Sequence, residues 1–236
     1  MTLDATGTLI ACPSMPDIYV EVLARHGVAT DAASVRRVFP VVWKELDCLT
    51  PAGRDRFTSF AGGARGFWAR LLARLCELLE IGVPGPFAAA ELFHRFASHD
   101  AWVVFPDAVP ALEAMRSMGL RLAVISNFDE RLPDLLAGLD LANRVDLVVP
   151  SSAVGLAKPN PRLFRHALER LDVDAAAALH VGDHPLEDVE GAQAAGMEAV
   201  LLERGGVGAT GVARDLLEVA RSIERRAAGG PRSAGV

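Results

Sequence analysis

Four short stretches of the chain end on, or carry, groups able to do chemistry. The N-terminal run ends at Asp4 and continues Ala5-Thr6-Gly7-Thr8-Leu9; the run LRLAVIS ends at Ser126, followed by Asn127. Gly155-Leu156-Ala157-Lys158-Pro159 carries an ammonium, and AALHVGD ends at Asp183, with Glu187 and Asp188 just beyond. If the apolar runs are strands of one open parallel sheet, their carboxyl ends share the crevice where ligands of such sheets bind. A carboxylate, a hydroxyl, an ammonium and further carboxylates would then meet in one place. Clustered carboxylates repel, and they stay ionised together only with a cation nearby. Hard oxygen donors of this kind suit Mg²⁺, which takes one or two protein carboxylates and fills its remaining positions with water and substrate phosphate. Ser126 and the amides beside it would bind phosphate oxygens, and Lys158 would neutralise Asp4 and a phosphoryl group. Asp4 would be free to attack as a nucleophile, as carboxylates do when they form aspartyl-phosphates.

Lys158 stands out on composition as well. Of the 24 basic residues only Lys44 and Lys158 are lysine; the rest are arginine. In a chain so biased, a retained lysine marks a place where a compact point charge is needed and a planar fork will not serve.

The elements that would position these groups are readable in outline. LRLAVIS (120–126), DLVVPS (146–151), AALHVGD (177–183) and EAVLLE (198–203) read as strands buried on both faces, being continuous apolar runs. Helical patterns at 107–118, 130–139, 161–171 and 186–195 lie between or beside them. Strand and helix in alternation imply parallel pairing with right-handed crossovers. The segment before residue 102 is different. Twelve of the 14 aromatic residues fall between Tyr19 and Phe105. Helical spacing appears at 15–26 (after Ser14 as N-cap), at 32–47 with a kink or break expected at Pro40, at 64–80 and at 87–97. The expected organisation is an α/β core of residues 1–11 and 102–226, a helical insertion of residues 12–101 and a flexible tail of residues 227–236.

DATGTL, AVISNF, GLAKPNPRLF and VGDHPLED, in that order, resemble the four motifs of the haloacid dehalogenase (HAD) superfamily. The helical insertion resembles that superfamily's subfamily I cap, and the sequence is similar to subfamily IA. The resemblance spans residues 3 to about 203. It implies a Rossmann-like α/β sheet with a mobile cap. It also implies a hydrolase using Mg²⁺, with Asp4 as nucleophile, Ser126 and Lys158 at the phosphate, and Asn127 beside them. Asp4, the Thr6 carbonyl, Asp183 and Asp188 would hold the metal. A small phosphorylated metabolite is the expected substrate. A 2-haloacid dehalogenase working without metal, or a catalytically weak scaffold that binds ligands or partners, are the competing readings.

The sequence departs from the family pattern in two respects. Phosphatases of the family usually carry a second Asp two residues after the nucleophile, as general acid and base; here that position is Thr6. A hydroxyl cannot exchange protons at neutral pH as a carboxyl does, a loss of about 10²–10⁴-fold. In addition, only three residues precede Asp4, so either a clipped first strand or a start upstream of Met1 is expected.

Other residues read as structural: Asn160-Pro161 as a helix start, His180 as a satisfied core histidine, Glu187 as a solvated acid, Trp43 and Trp68 as insertion core, and Arg54, Arg56 and Arg65 as solvated. A net charge of −6 without a basic stripe argues against a nucleic-acid partner. No apolar run reaches the ~18 residues of a membrane span, and MTLDATGTLI lacks the basic start of a secretory signal. Cys12, Cys48 and Cys76 show no metal or disulfide spacing, so a cytoplasmic setting with reduced thiols is expected.

Overall fold

The apolar runs contribute to a six-stranded sheet, in which Ala123–Ser126 is buried on both faces as expected, whereas Leu147–Pro150 and Glu198–Leu202, further from the centre, are only partly covered. A computed structural model of the chain describes residues 1–206 and 211–228. The chain opens with β1 (Thr2–Leu3) and β2 (Ile10–Ala11). It then runs through five helices, α1 (Met15–Arg25), α2 (Ala32–Cys48), α3 (Arg56–Ser59), α4 (Gly63–Leu78) and α5 (Pro86–Arg95), before β3 (Val103–Val104). From there strands and helices alternate: α6 (Ala108–Ser117), β4 (Ala123–Ser126), α7 (Leu132–Gly138), β5 (Leu147–Pro150), α8 (Ser151–Val154), α9 (Pro161–Leu171) and β6 (Leu179–Gly182). A π-helical turn over Pro185–Glu190 leads to α10 (Gly191–Ala194), β7 (Glu198–Leu202), β8 (Val212–Ala213) and α11 (Leu216–Ala228).

The sheet order is β5-β4-β1-β6-β7-β8, and every neighbouring pair is parallel. This is an α/β Rossmann-like fold. The two-residue β1 lies at its centre, with Thr2 opposite both Ala123 and His180, and Leu3 opposite Val124 and Val181. That register sets Asp4 level with Ile125 and Gly182, so Ser126 and Asp183 come one position further along the same carboxyl edge. Leu3, Leu112, Met115 and Leu216 pack in one buried cluster, and Ile125, Leu163, Phe164 and Leu168 in another. Alternate residues of β4 (Val124 and Ile125) go to different clusters, as the period of a strand requires.

The five helices between β2 and β3 carry a third cluster of their own, built on Tyr19, Val22, Val38, Phe67, Leu71 and Leu75. β2 and β3 pair antiparallel, Ile10 with Val104 and Ala11 with Val103, where the helical segment leaves and rejoins the core.

Local details correct several expectations. Helix α2 runs unbroken through Pro40. Ser14 makes no capping bond to α1, whereas Asp31 and Asn160 do cap α2 and α9 through Ser34 N and Arg162 N. The strands are shorter than the apolar runs: only Ala123–Ser126 of LRLAVIS is strand, because the Leu122 amide turns aside to the Asp146 carboxylate at 2.7 Å. The helix expected over 186–195 opens as the π turn. Residues 227 and 228 continue α11, and the rest of the expected tail lies outside the described residues. No described helix is long and apolar enough to cross a membrane.

Candidate active site

Asp4 leaves the end of β1 with its amide bonded to Val181 O at 2.9 Å, so its carboxyl group sits over the sheet edge, 5% exposed. The Lys158 ammonium, 4% exposed, lies 2.5 Å from Asp4 Oδ1 and 2.5 Å from Asp188 Oδ1. One oxygen each of Asp4, Asp183 and Asp188 lies within 4.8 Å of the others. Two glycines make this crowding possible. A Cβ on Gly7, whose φ is +87°, would lie 2.2 Å from Asp183 Oδ2, and one on Gly182 would lie 2.1 Å from Asp188 Cγ.

The charges in this cluster do not balance, because three carboxylates face one ammonium. Burial pushes Asp4 up to about 7; Lys158 opposes that, while Asp188 and Asp183 add to it. Burial, then Asp188, also raises Asp183. Asp188 goes the other way. Burial alone would raise it, but Lys158 and His180 together hold it well below the usual carboxylate range. Lys158 is held protonated by Asp4 and Asp188 against the opposing effect of burial.

The donor set fits a divalent cation. Asp183 and the second oxygen of Asp4 have no hydrogen-bond donor among the described residues. The turn after Asp4 closes through Gly7 N to Ile10 O and through Thr8, Leu9 and Ile10 N to Ala5 O, which leaves the Thr6 carbonyl unused. Asp188 is more committed. Its Oδ1 also meets His180 Nε2 at 3.1 Å, and its Oδ2 accepts the His184 amide at 2.9 Å. A cation would therefore draw first on Asp4, Asp183 and the Thr6 carbonyl.

Ser126, Asn127 and Thr6 line the same cavity as these four residues, so every sequence-derived site residue is brought together. Asn127, expected at the phosphate, is engaged elsewhere. Its Oδ1 accepts the Lys158 amide at 2.7 Å, and its Nδ2 donates to Lys158 O at 3.0 Å and to Glu187 Oε2 at 2.9 Å. It fixes the backbone that carries Lys158. His180 is the buried, satisfied histidine expected, with Nδ1 2.8 Å from Thr2 Oγ1, yet its other partner is Asp188. Because an ionised Asp188 can only accept, the proton is on Nε2 and Nδ1 accepts from Thr2. Burial keeps the ring neutral by lowering its pKa.

The cavity, about 540 Å³, extends from this cluster beneath α1, α2 and α4, where aromatic rings form its wall. Trp43 and Trp68, expected as interior of the insertion, have a second role in lining it. A second buried charge pair also lines it. Arg131 is bidentate to Asp129, with Nε to Oδ1 at 2.7 Å and Nη2 to Oδ2 at 2.5 Å. Trp68 Nε1 also donates to Asp129 at 2.9 Å, and Arg131 Nη1 donates to Phe93 O at 2.5 Å, tying α4 and α5 to the core.

Arg56, expected to be solvated, is 4% exposed, packed 4.5 Å from the Trp43 ring centroid and 3.2 Å from Asp47. Its position follows from Asp55, which caps α3 through Thr58 N and accepts a hydrogen bond from Ser151 Oγ across the boundary. Arg204 had no signal in the sequence. It donates to the Gly7 and Thr8 carbonyls and to Asp107, pinning the turn that follows Asp4.

A family model described as haloacid dehalogenase-like hydrolase matches residues 1–196. The human haloacid dehalogenase-like hydrolase domain-containing protein 3 is 43% identical over 205 residues, covering 86% of this chain and 80% of that protein. A phosphoserine phosphatase of Thermus thermophilus is 40% identical over 134 residues, 55% of this chain and 53% of that enzyme. Among solved structures, a 2-haloacid dehalogenase from Pseudomonas syringae superposes with a TM-score of 0.66 at 26% identity, over 95% of this chain and 97% of that one. The motif order in the sequence, the sheet with its acidic edge and the extent of these matches agree: the chain belongs to the haloacid dehalogenase-like hydrolases.

Proposed function

We propose that this hydrolase is a Mg²⁺-dependent phosphomonoesterase that works through a phosphoryl group on Asp4. The observation that carries the reading is the excess of negative charge: Asp4, Asp183 and Asp188 within 4.8 Å around one ammonium. Displacement of halide from a 2-haloacid needs no cation, and three crowded carboxylates would repel that anionic substrate. A phosphate ester brings its own need for cations, which Lys158 and a bound metal meet together. The likeness to a named phosphatase supports the same choice.

In this reading Asp4 attacks phosphorus, the P–O ester bond breaks, and the alcohol oxygen leaves with the bonding pair. Ser126 and Lys158 hold the phosphoryl oxygens, and Asn127 keeps Lys158 in place. Water then attacks phosphorus and the P–O bond to Asp4 breaks, giving inorganic phosphate and the free carboxylate. A Mg²⁺ held by Asp4, Asp183 and the Thr6 carbonyl, with Asp188 adjacent, would neutralise the nucleophile and the phosphate. Thr6 supplies no acid for the leaving group and no base for the water, so the second step is slow.

Rapid-quench assays on a panel of phosphate esters, with Mg²⁺ and with chelator, test this. The expected result is a Mg²⁺-dependent burst of about one alcohol per site, followed by slower turnover that Thr6→Asp accelerates by about tenfold or more. Absence of Asp4-dependent phosphate release from every ester overturns the reading.

A further inference from the structure

We infer that the preferred esters carry a bulky, ring-bearing apolar alcohol whose oxygen is phenolic, so that the substrate class is aryl phosphates; this rests on the phosphatase reading above. The first observation is the cavity beyond Asp4. Its volume of about 540 Å³ falls in the range of pockets that enclose drug-sized ligands, far beyond the needs of a two- or three-carbon phosphate. All three tryptophans of the chain, Trp43, Trp68 and Trp102, line it, together with Tyr19, Phe39 and Phe128. Trp43, Trp68, Trp102, Phe39 and Phe128 are only partly buried, which leaves ring surface open to the cavity.

The rings form one connected aromatic wall: Phe39 stacks on Trp43 at 5.8 Å with 24° between planes, Trp68 stacks with Phe57 at 6.3 Å and 23° and with Phe96 at 6.4 Å and 25°, and Phe67 meets Trp43 and Trp68 edge to face. An aromatic guest set against such a wall gains from offset or edge-to-face contacts beyond the area it buries.

The wall offers little to a charged substrate body. Outside the Asp4 cluster and its neighbours His184 and Glu187, the charged residues lining the cavity are Asp129 and Arg131, whose groups are spent on each other, on Trp68 and on Phe93 O. Burying an ammonium or carboxylate there without a partner is costly. His184 and Glu187 sit back at the Asp183 end, and Glu187 is taken up by Asn127.

Thr6 is an independent second observation. Without a carboxyl group at that position, the alcohol oxygen must leave unprotonated. A phenol, with a pKa near 10, tolerates this where an alkyl oxygen, close to hydroxide in basicity, does not. The pair from the broken P–O bond goes to the aryl oxygen, which is then protonated by solvent, while phosphorus passes to Asp4 and on to water.

The experiment compares phenyl, 2-naphthyl and ethyl phosphates with phosphoserine on the Mg²⁺-loaded protein. Phenyl and naphthyl oxygens differ little in basicity, so their ratio reads the added ring. We expect kcat/KM for naphthyl to exceed that for phenyl by about tenfold or more, and Phe39→Ala and Trp43→Leu each to bring the ratio towards one. In parallel, 2-naphthol titrated into Asp4→Asn should quench tryptophan fluorescence at sub-millimolar concentration, a readout independent of turnover. Phosphate release that favours phosphoserine or ethyl phosphate, a naphthyl-to-phenyl ratio near one in wild type, or no quenching by naphthol overturns the inference while leaving the phosphatase reading standing. Quenching without Asp4-dependent phosphate release from any ester sinks the phosphatase reading, and the ester assignment with it.

Discussion

Two buried charge groups face the same cavity, and they are built on opposite principles. In one of them one carboxylate meets one guanidinium: Asp129 and Arg131 form a bidentate pair, Asp129 also accepts from Trp68 Nε1, and Arg131 Nη1 donates to Phe93 O. Every polar atom has a partner, so the pair asks for nothing further and holds two layers together. At the sheet edge Lys158 is shared between Asp4 and Asp188, Asp183 has no ion-pair partner among the described residues, and two of the three acids are pushed up in pKa. That cluster is incomplete as it stands. The first arrangement is a strut and the second is a receptor for positive charge; the difference lies in stoichiometry and in exposure, since Asp129 and Arg131 are both buried while Asp183 is open to solvent.

The contrast predicts that removing one acid from each group has opposite consequences. Asp4→Asn should lower turnover by about 10⁴-fold, as loss of a nucleophile does, while thermal denaturation shows an equal or higher Tm, because Lys158 keeps Asp188 and a repulsion is relieved. Residual turnover within tenfold of wild type would remove Asp4 from the chemistry. Asp129→Ala should instead cost about 3–5 kcal/mol, since it strands a buried guanidinium; urea unfolding measures it, and a loss under about 1 kcal/mol would deny the strut. Lys158→Arg tests the shared ammonium. A fork cannot sit between two carboxylates that each approach a single nitrogen at 2.5 Å. A loss of about 10²-fold in kcat/KM is expected, and activity within twofold of wild type would refute the point-charge argument.

The same cluster sets a pH dependence. A carboxyl group at about 7 when folded and 3.8 when unfolded binds its proton preferentially in the folded state. Its contribution is present at low pH and is lost as pH rises from about 4 to 7, by up to ~1.4 kcal/mol per pH unit. In chelator, the Tm of wild type should therefore fall relative to Asp4→Asn across that interval, and Mg²⁺ should close the gap. Parallel Tm profiles would show that Asp4 is not under this strain.

What the sequence disclosed, and what it hid, follows the same division. The receptor was legible because its parts end consecutive strands, so topology alone collects them, and because Lys158 contrasts with a background of arginine. Asn160 was legible because caps act within three residues. The strut was not. Asp129 and Arg131 are neighbours, but Trp68 is 61 positions away from Asp129, and no local pattern announces that contact. Asp188 reaches His180 through a π turn, which a 3.6-residue period cannot anticipate. The aromatic rings were half legible: a side chain with one face in a core and the other on a cavity has the same spacing as one wholly enclosed. Arg56 read as solvated because its burial depends on Asp55 finding Ser151 across the boundary.

The place of β1 has a consequence in time. The central strand is made long before one of its neighbours: the partner of Thr2 on that side, His180, lies 178 residues later. At about 5–20 residues per second, a ribosome needs roughly 9–36 s to cover that distance. For that interval the segment carrying Asp4 has only one of its two strand neighbours, or neither, so the middle of the sheet stays open until β6 has been made.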